Sequence, residues 1–103
     1  GLAFKENCPD LRNTRVVDII RELESYGIEV DVYDPWVDAA EAKRVYGLEM
    51  TEEPEHTGYD AVVVAVAHNE FIQQLNAVAY SGPQSVVIDV KGILPRTAGA
   101  LRL

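Results

Sequence analysis

Apolar positions along the chain repeat with two periods, and the switches between them mark out the elements. Val16, Ile19, Ile20, Leu23 and Tyr26 recur at three- and four-residue steps, with Arg15, Asp18, Arg21, Glu22 and Glu24 on the other face. That spacing predicts an amphipathic helix with the five apolar residues as its buried face. Asn13 or Thr14 is placed to cap its first turn, and Gly27 supplies a left-handed stop. Residues 28–33 then alternate, with Ile28, Val30 and Val32 to one side and Glu29, Asp31 and Tyr33 to the other. This is the pattern of a strand near a sheet edge, ended by Asp34-Pro35. Asp38 can cap a short helix over 39–46 that Gly47 closes, and residues 48–51 read as a brief edge strand before an acidic loop over 52–58.

Residues 60–67 are β-rich and apolar on both faces after Asp60, as expected of the central strand of a parallel sheet. His68-Asn69 opens another helix, with Phe71, Ile72, Leu75 and Val78 as its buried face and Ser81-Gly82-Pro83 as its break. Residues 86–90 form a last strand, from which Lys91-Gly92 turn away. Beyond Leu94-Pro95 the pattern fades, and the tail to Leu103 reads as a loosely attached extension. At the other end, residues 2–4 read as the tail of a first strand and 5–13 as a turn-rich loop. Buried strands usually run about five or six residues, so this first strand is expected to be shortened and the sheet centre weakened. With no initiator methionine, the chain is expected to be a piece of a longer one. Strands alternating with helices predict the α/β class: a Rossmann-like, doubly wound parallel sheet in three layers, one domain over 1–103.

Composition narrows what such a domain can do. Apolar residues make up 48% and charged residues 25% of 103, which excludes disorder. The longest apolar run, seven residues from Ala61 to Ala67, falls far short of the roughly 20 that a membrane-spanning helix needs. A net charge of −8, from 17 acids against nine Lys and Arg, argues against nucleic acid and anionic membrane as partners. The single cysteine, Cys8, cannot form an internal disulfide, which suits a reducing cytoplasmic setting.

In an open parallel sheet, ligands bind beyond the carboxyl ends of the strands. The residues expected there are Phe4-Lys5, Asp34, His68 and Lys91-Gly92, with Arg12 in the loop that enters the first helix. Three of the nine cations thus fall on one rim, beside helix N-termini, and an anion with phosphate-like geometry is the natural guest. Lys5 and Lys91 equally suit the role of solvated loop lysines, and Arg12 that of a partner for Asp10. Asp34 stands where a Rossmann acid meets a ribose, but the glycine-rich turn is missing: the text after the first strand is Lys5-Glu6-Asn7-Cys8-Pro9. Asp34 is therefore read as a turn acid, and the domain is not a self-sufficient dinucleotide binder. His68 reads as structural rather than catalytic. Cys8 reads as inert, since a nucleophile needs a base and His68 is the only candidate. Two distant histidines and one cysteine lack the spacing of a metal site.

The opening Phe4-Lys5, four residues, Asp10, one residue, Arg12 resembles the start of the C-terminal, UDP-binding domain of the UDP-glucose/GDP-mannose dehydrogenase family. Val32-Tyr33-Asp34-Pro35, residues 60–68 and Ile88-Asp89-Val90-Lys91-Gly92 are similar to that family's second, central and last strands. The Glu6-to-Asn13 wording is most similar to the branch that oxidises UDP-N-acetylhexosamines for bacterial surface polysaccharides. The resemblance implies oxidation of the sugar's C6 hydroxymethyl to a carboxylate by two NAD⁺, through a thiohemiacetal and a thioester on a catalytic cysteine. It also implies that this cysteine and the NAD glycine fingerprint belong to central and N-terminal domains upstream, so that Cys8 is not the nucleophile and NAD is bound mainly outside this chain. By matching positions, Phe4 and Lys5 would contact the UDP-sugar and Arg12 would reach the NAD⁺ phosphates. Lys91 falls where relatives often carry an arginine on the substrate pyrophosphate, and a lysine cannot make that two-pronged contact. Relatives form homo-oligomers chiefly through a long helix that this sequence does not contain. A non-enzymatic nucleotide- or CoA-binding Rossmann module is the competing expectation, whereas a signalling receiver domain would need an acidic rim.

Overall fold

The computed structural model of the protein describes residues 1–52, 59–73, 81–93 and 101–102. Helix α1, Val16–Ser25, forms where the helical period is strongest, and Gly27 follows it at φ 79°. Its buried stripe is rotated from the expected one. Ile20 is buried, and Val16 and Val17 join it against Leu2, Leu11, Val32, Ala42 and Leu48, whereas Ile19 is 40% and Tyr26 73% exposed. The partners that the loops and second helix supply meet one flank of the stripe, and the Ile19 flank stays in water. Neither Asn13 nor Thr14 occupies the cap position, which Arg15 holds without a side-chain bond. The Thr14 hydroxyl instead donates to the Leu2 carbonyl at 2.7 Å and accepts from the Val16 N–H at 3.3 Å.

Helix α2, Ala39–Tyr46, begins and ends as its sequence predicts. Asp38 accepts from the N–H groups of Ala40 and Glu41, and Gly47 closes the helix at φ 68°, where other residues would be strained. Arg21 donates to the Tyr46 carbonyl at 2.6 Å, and the Tyr46 hydroxyl to the Leu11 carbonyl at 2.5 Å, so both helices and the first loop are cross-tied. The strands expected over 28–33 and 48–51 reduce to one parallel bridge between Val32 and Met50, with the Thr51 N–H on the Val32 carbonyl at 2.7 Å. Ile28 is 48% exposed and Val30 only half-buried, so little burial supports a longer ladder there.

The sheet consists of β1 (Tyr59–Val64), β2 (Ser81–Asp89) and β3 (Leu101–Arg102), all parallel, with helix α3 (Asn69–Gln73) after β1. Ala61, Val62, Val63 and Val64 pair with Val86, Val87, Ile88 and Asp89. Three expectations change here. First, Ser81, Gly82 and Pro83, expected to break a helix, lie within β2, where the register jumps from Tyr59–Ser81 to Ala61–Val86 and tolerates a proline. Second, β1 is exposed at Asp60 and Ala61 and becomes buried only at Val64, because among the described residues it borders the sheet rather than centring it. Third, the tail expected to be loose places Leu101 and Arg102 beside Ile88 and Asp89 as a short strand. Phe71 of α3 packs with Val64 and Val87 in a second cluster that Tyr33, Val62 and Ile93 border. Leu75, Val78 and the acidic loop from 53 to 58 lie outside the described residues. Among the described residues, no helix is long and apolar enough to cross a membrane.

Residues 2–4 form no strand, and one carboxylate explains why. Asp34 Oδ2 accepts from the backbone N–H groups of both Leu2, at 2.7 Å, and Ala3, at 2.9 Å. In a strand, successive N–H groups point to opposite edges, so two of them meeting one oxygen is incompatible with a ladder. Gly1 lies against the chain just past β1, where a methyl on it would stand 2.7 Å from the Val66 Cβ. The same Oδ2 receives His68 Nε2 at 2.9 Å, and Oδ1 receives the Trp36 N–H at 2.8 Å. Burial pushes the Asp34 carboxyl up, but these hydrogen bonds from Ala3, Leu2, His68 and Trp36 outweigh it and hold the pKa below 3.8.

A carboxyl with a lowered folded pKa stabilises the fold fully above its unfolded pKa of about 3.9, and that contribution is lost as pH falls through the lower folded value. Asp34→Asn is expected to lose on the order of 3 kcal/mol at neutral pH, since it removes a buried charge on which four donors converge. Urea unfolding from pH 7 down to 2.5 checks this. The gap between the two proteins should stay constant to about pH 4 and narrow below it; a gap that is absent at pH 7, or that widens in acid, contradicts the assignment.

Candidate functional site

The loop from Phe4 to Asn13 is held to the carboxyl end of β1 by a chain of hydrogen bonds. Phe4 N–H donates to the Asp10 carbonyl at 2.8 Å and closes the loop on itself. Asn7 adopts φ 55°, a left-handed conformation that asparagine tolerates better than most residues, and its N–H donates to His68 Nδ1 at 2.9 Å. Its side-chain oxygen accepts the Asn69 N–H at 2.8 Å, at the start of α3. His68 is fully buried, stacked with Trp36 at 6.0 Å and met by the edge of Phe71 at 5.3 Å. Because Nδ1 accepts a backbone N–H, it carries no proton; the ring is the neutral Nε2–H form and donates to Asp34. Both nitrogens are thereby occupied. His68 thus joins the Asn7 backbone to Asp34 within the fold.

The residues picked from the sequence are all exposed, three on the loop from Phe4 to Asn13 and one in the turn after β2. Phe4 is 55% exposed and Lys5 is exposed beside it, between the anchored residues Ala3 and Asn7. Lys91, also exposed, sits in the turn after β2, where Val90 N–H donates to the Val64 carbonyl at 3.0 Å and Asp89 accepts from the Ile93 N–H at 3.0 Å. Lys91 thus follows the carboxyl end of β2, whereas Phe4 and Lys5, which no strand precedes, lie on the loop that Asn7 ties to His68 just past β1. Arg12 takes the first of its two expected roles: Nε and Nη2 meet the two oxygens of Asp10 at 3.1 and 3.2 Å, and Asp10 also accepts the Arg12 N–H at 2.9 Å. Those hydrogen bonds hold the Asp10 carboxyl below its usual range and raise the guanidinium's. Among the described residues, no hydrogen bond or ion pair joins Lys5, Arg12 and Lys91 to one another.

Asp34 is a turn acid, as expected from Pro35, but the sequence reading missed that it also receives the N-terminal segment and His68. The available signal was positional: an aspartate and a histidine each leaving the end of a strand expected to lie near the other. The structure bears equally on a dinucleotide. The Asp34 carboxylate is inaccessible to water and held by four internal donors, so it is not open to a ribose, and the turn from Phe4 to Pro9 has no glycine to admit a pyrophosphate. These residues do not fit an NAD site of their own.

Residues 1–96 match the family model for the UDP-binding domain of the UDP-glucose/GDP-mannose dehydrogenase family. The whole chain is 49% identical to part of a UDP-N-acetyl-D-glucosamine 6-dehydrogenase of Pseudomonas aeruginosa and 43% identical to part of the protein so named in Salmonella typhi. Over 91% of its length it is 44% identical to Protein CapL of Staphylococcus aureus. It spans 25% of the length of the first two relatives and 22% of the third. With residues 1–96 matched by that family model and two relatives 43–49% identical over the whole chain, the chain belongs to the UDP-glucose/GDP-mannose dehydrogenase family.

Proposed function

We propose that this chain supplies the sugar-nucleotide seat of an NAD-dependent UDP-sugar 6-dehydrogenase whose substrate is a UDP-N-acetylhexosamine. The observation that carries the reading is the match of residues 1–96 to a UDP-binding domain, supported by two relatives named for UDP-N-acetyl-D-glucosamine oxidation. The reaction converts the C6 hydroxymethyl to a carboxylate, and the product enters surface polysaccharide synthesis in the cytoplasm. Lys5 and Phe4, exposed on an anchored loop, meet the UDP-sugar. Lys91 offers the pyrophosphate a single-pronged ammonium contact, worth about 1.5–3 kcal/mol if fully made. Arg12 turns from Asp10 toward the NAD⁺ phosphates across the cleft.

NAD supplies the hydride acceptor when bound, and its principal site lies in an upstream domain, as does the catalytic thiol. This accords with an Asp34 that is buried among internal donors. The doubly wound, three-layer arrangement is proposed for residues 1–103 themselves, and the parent enzyme is inferred to be a homo-oligomer built through parts outside this chain. Titrated alone, the chain should bind UDP no tighter than the high micromolar range and reduce no NAD⁺, because half a cleft keeps only part of the contacts; measurable turnover would contradict this. In the full-length enzyme, Lys5→Ala should raise KM for the sugar nucleotide by roughly tenfold, the loss of one charge-assisted contact. An unchanged KM would remove Lys5 from the site.

A further inference from the structure

We propose that Asp34 and His68 form a positioning pair that fixes the exposed tripeptide Phe4-Lys5-Glu6 for the sugar nucleotide; this rests on Lys5 being a substrate contact. The geometry is a bracket. On the near side of the tripeptide, the Asp34 carboxylate takes the N–H groups of Leu2 and Ala3; on the far side, His68 Nδ1 takes the N–H of Asn7. The two halves of the bracket are joined by the His68 Nε2 to Asp34 Oδ2 bond at 2.9 Å, with both side chains inaccessible to water. Phe4, Lys5 and Glu6 all face solvent between these anchors.

Three residues between two buried anchors have little freedom to drift. The bracket's other contacts stiffen it further. Asn7 Oδ1 on the Asn69 N–H ties the far anchor to α3, and Trp36, whose N–H bonds Asp34 Oδ1, stacks on the imidazole. A loop already in its bound conformation avoids the ordering entropy that a free one loses on binding, so the pair acts on substrate affinity through Lys5 without touching substrate. The neutral imidazole is the form this requires, because only an unprotonated Nδ1 can accept the Asn7 N–H.

Steady-state kinetics of the full-length dehydrogenase test the proposal. His68→Phe keeps a ring between Trp36 and Phe71 but loses both hydrogen bonds. It should raise KM for the UDP-sugar about fivefold to tenfold and leave kcat within about twofold. His68→Asn, whose oxygen can stand in for Nδ1 toward the Asn7 N–H, should bring KM back to within about twofold of the unaltered enzyme. The discriminating readout is the double variant with Lys5→Ala. If His68 acts through this loop, its KM falls well short of the product of the two single effects, the remainder passing through Phe4; fully multiplied effects would show a merely structural role and overturn the proposal. Should His68→Phe fail to fold, Asn7→Ala carries the same cycle, since it loses the Asn69 bond and strains the positive φ without opening the core. If Lys5→Ala raises KM and the His68 and Asn7 variants do not, the positioning role fails alone. If Lys5→Ala itself changes nothing, the underlying assignment of Lys5 fails, and the positioning role with it.

Discussion

A carboxylate is stable away from water only when donors replace its hydration, and Asp34 draws those donors from parts of the chain that are remote in sequence. Leu2 and Ala3 come from the N-terminal segment, Trp36 from the aspartate's own turn, and His68 from the far end of β1. The residues just before Asp34 divide between the two hydrophobic clusters. Val32 packs with Leu2, Leu11, Ile20, Ala42 and Leu48, and Tyr33 packs beside Val64, Phe71 and Val87. Asp34 thus stands where both clusters and three backbone segments meet. One ionised side chain fixes how they are arranged, and the loop bearing Phe4 and Lys5 inherits its position from it.

This arrangement divides the work of a substrate domain between a buried layer and an exposed one. Lys91 lies exposed in the turn after β2, and Lys5 lies exposed on the loop that Asp34 and His68 anchor. Beneath it, the aspartate and histidine are committed to holding backbone. Both side chains are inaccessible to water, and neither is open to a ligand.

How much of this was legible in the sequence depended on how local each cause is. Helix α2 was readable to its ends because Asp38 and Gly47 act within one turn of themselves. Helix α1 was readable in extent but not in facing, since whether Val17 or Ile19 is buried depends on which remote segments cover the helix. Strand identity was the least legible. Ser81 to Pro83 carry turn chemistry yet enter β2 at an irregular register, and residues 2–4 look like a strand while a distant carboxylate turns both their amides aside. For the site, the places of His68 after β1 and Lys91 after β2 followed from topology, whereas the strands expected before Phe4-Lys5 and before Asp34 did not form. The Arg12–Asp10 pair was open as one of two choices, and its two-residue spacing made it visible. The Asp34–His68 bond, across 34 residues, had no local signal beyond each residue's place at the end of a strand.

The most direct test of the account is a crystal structure of the full-length enzyme with its UDP-sugar bound. The account requires the Lys5 ammonium within hydrogen-bond distance of the nucleotide sugar, with His68 still spanning Asp34 and the Asn7 N–H beneath it. A nucleotide seated away from the Phe4–Lys5 loop, or seated there with the His68 bonds broken, would contradict it.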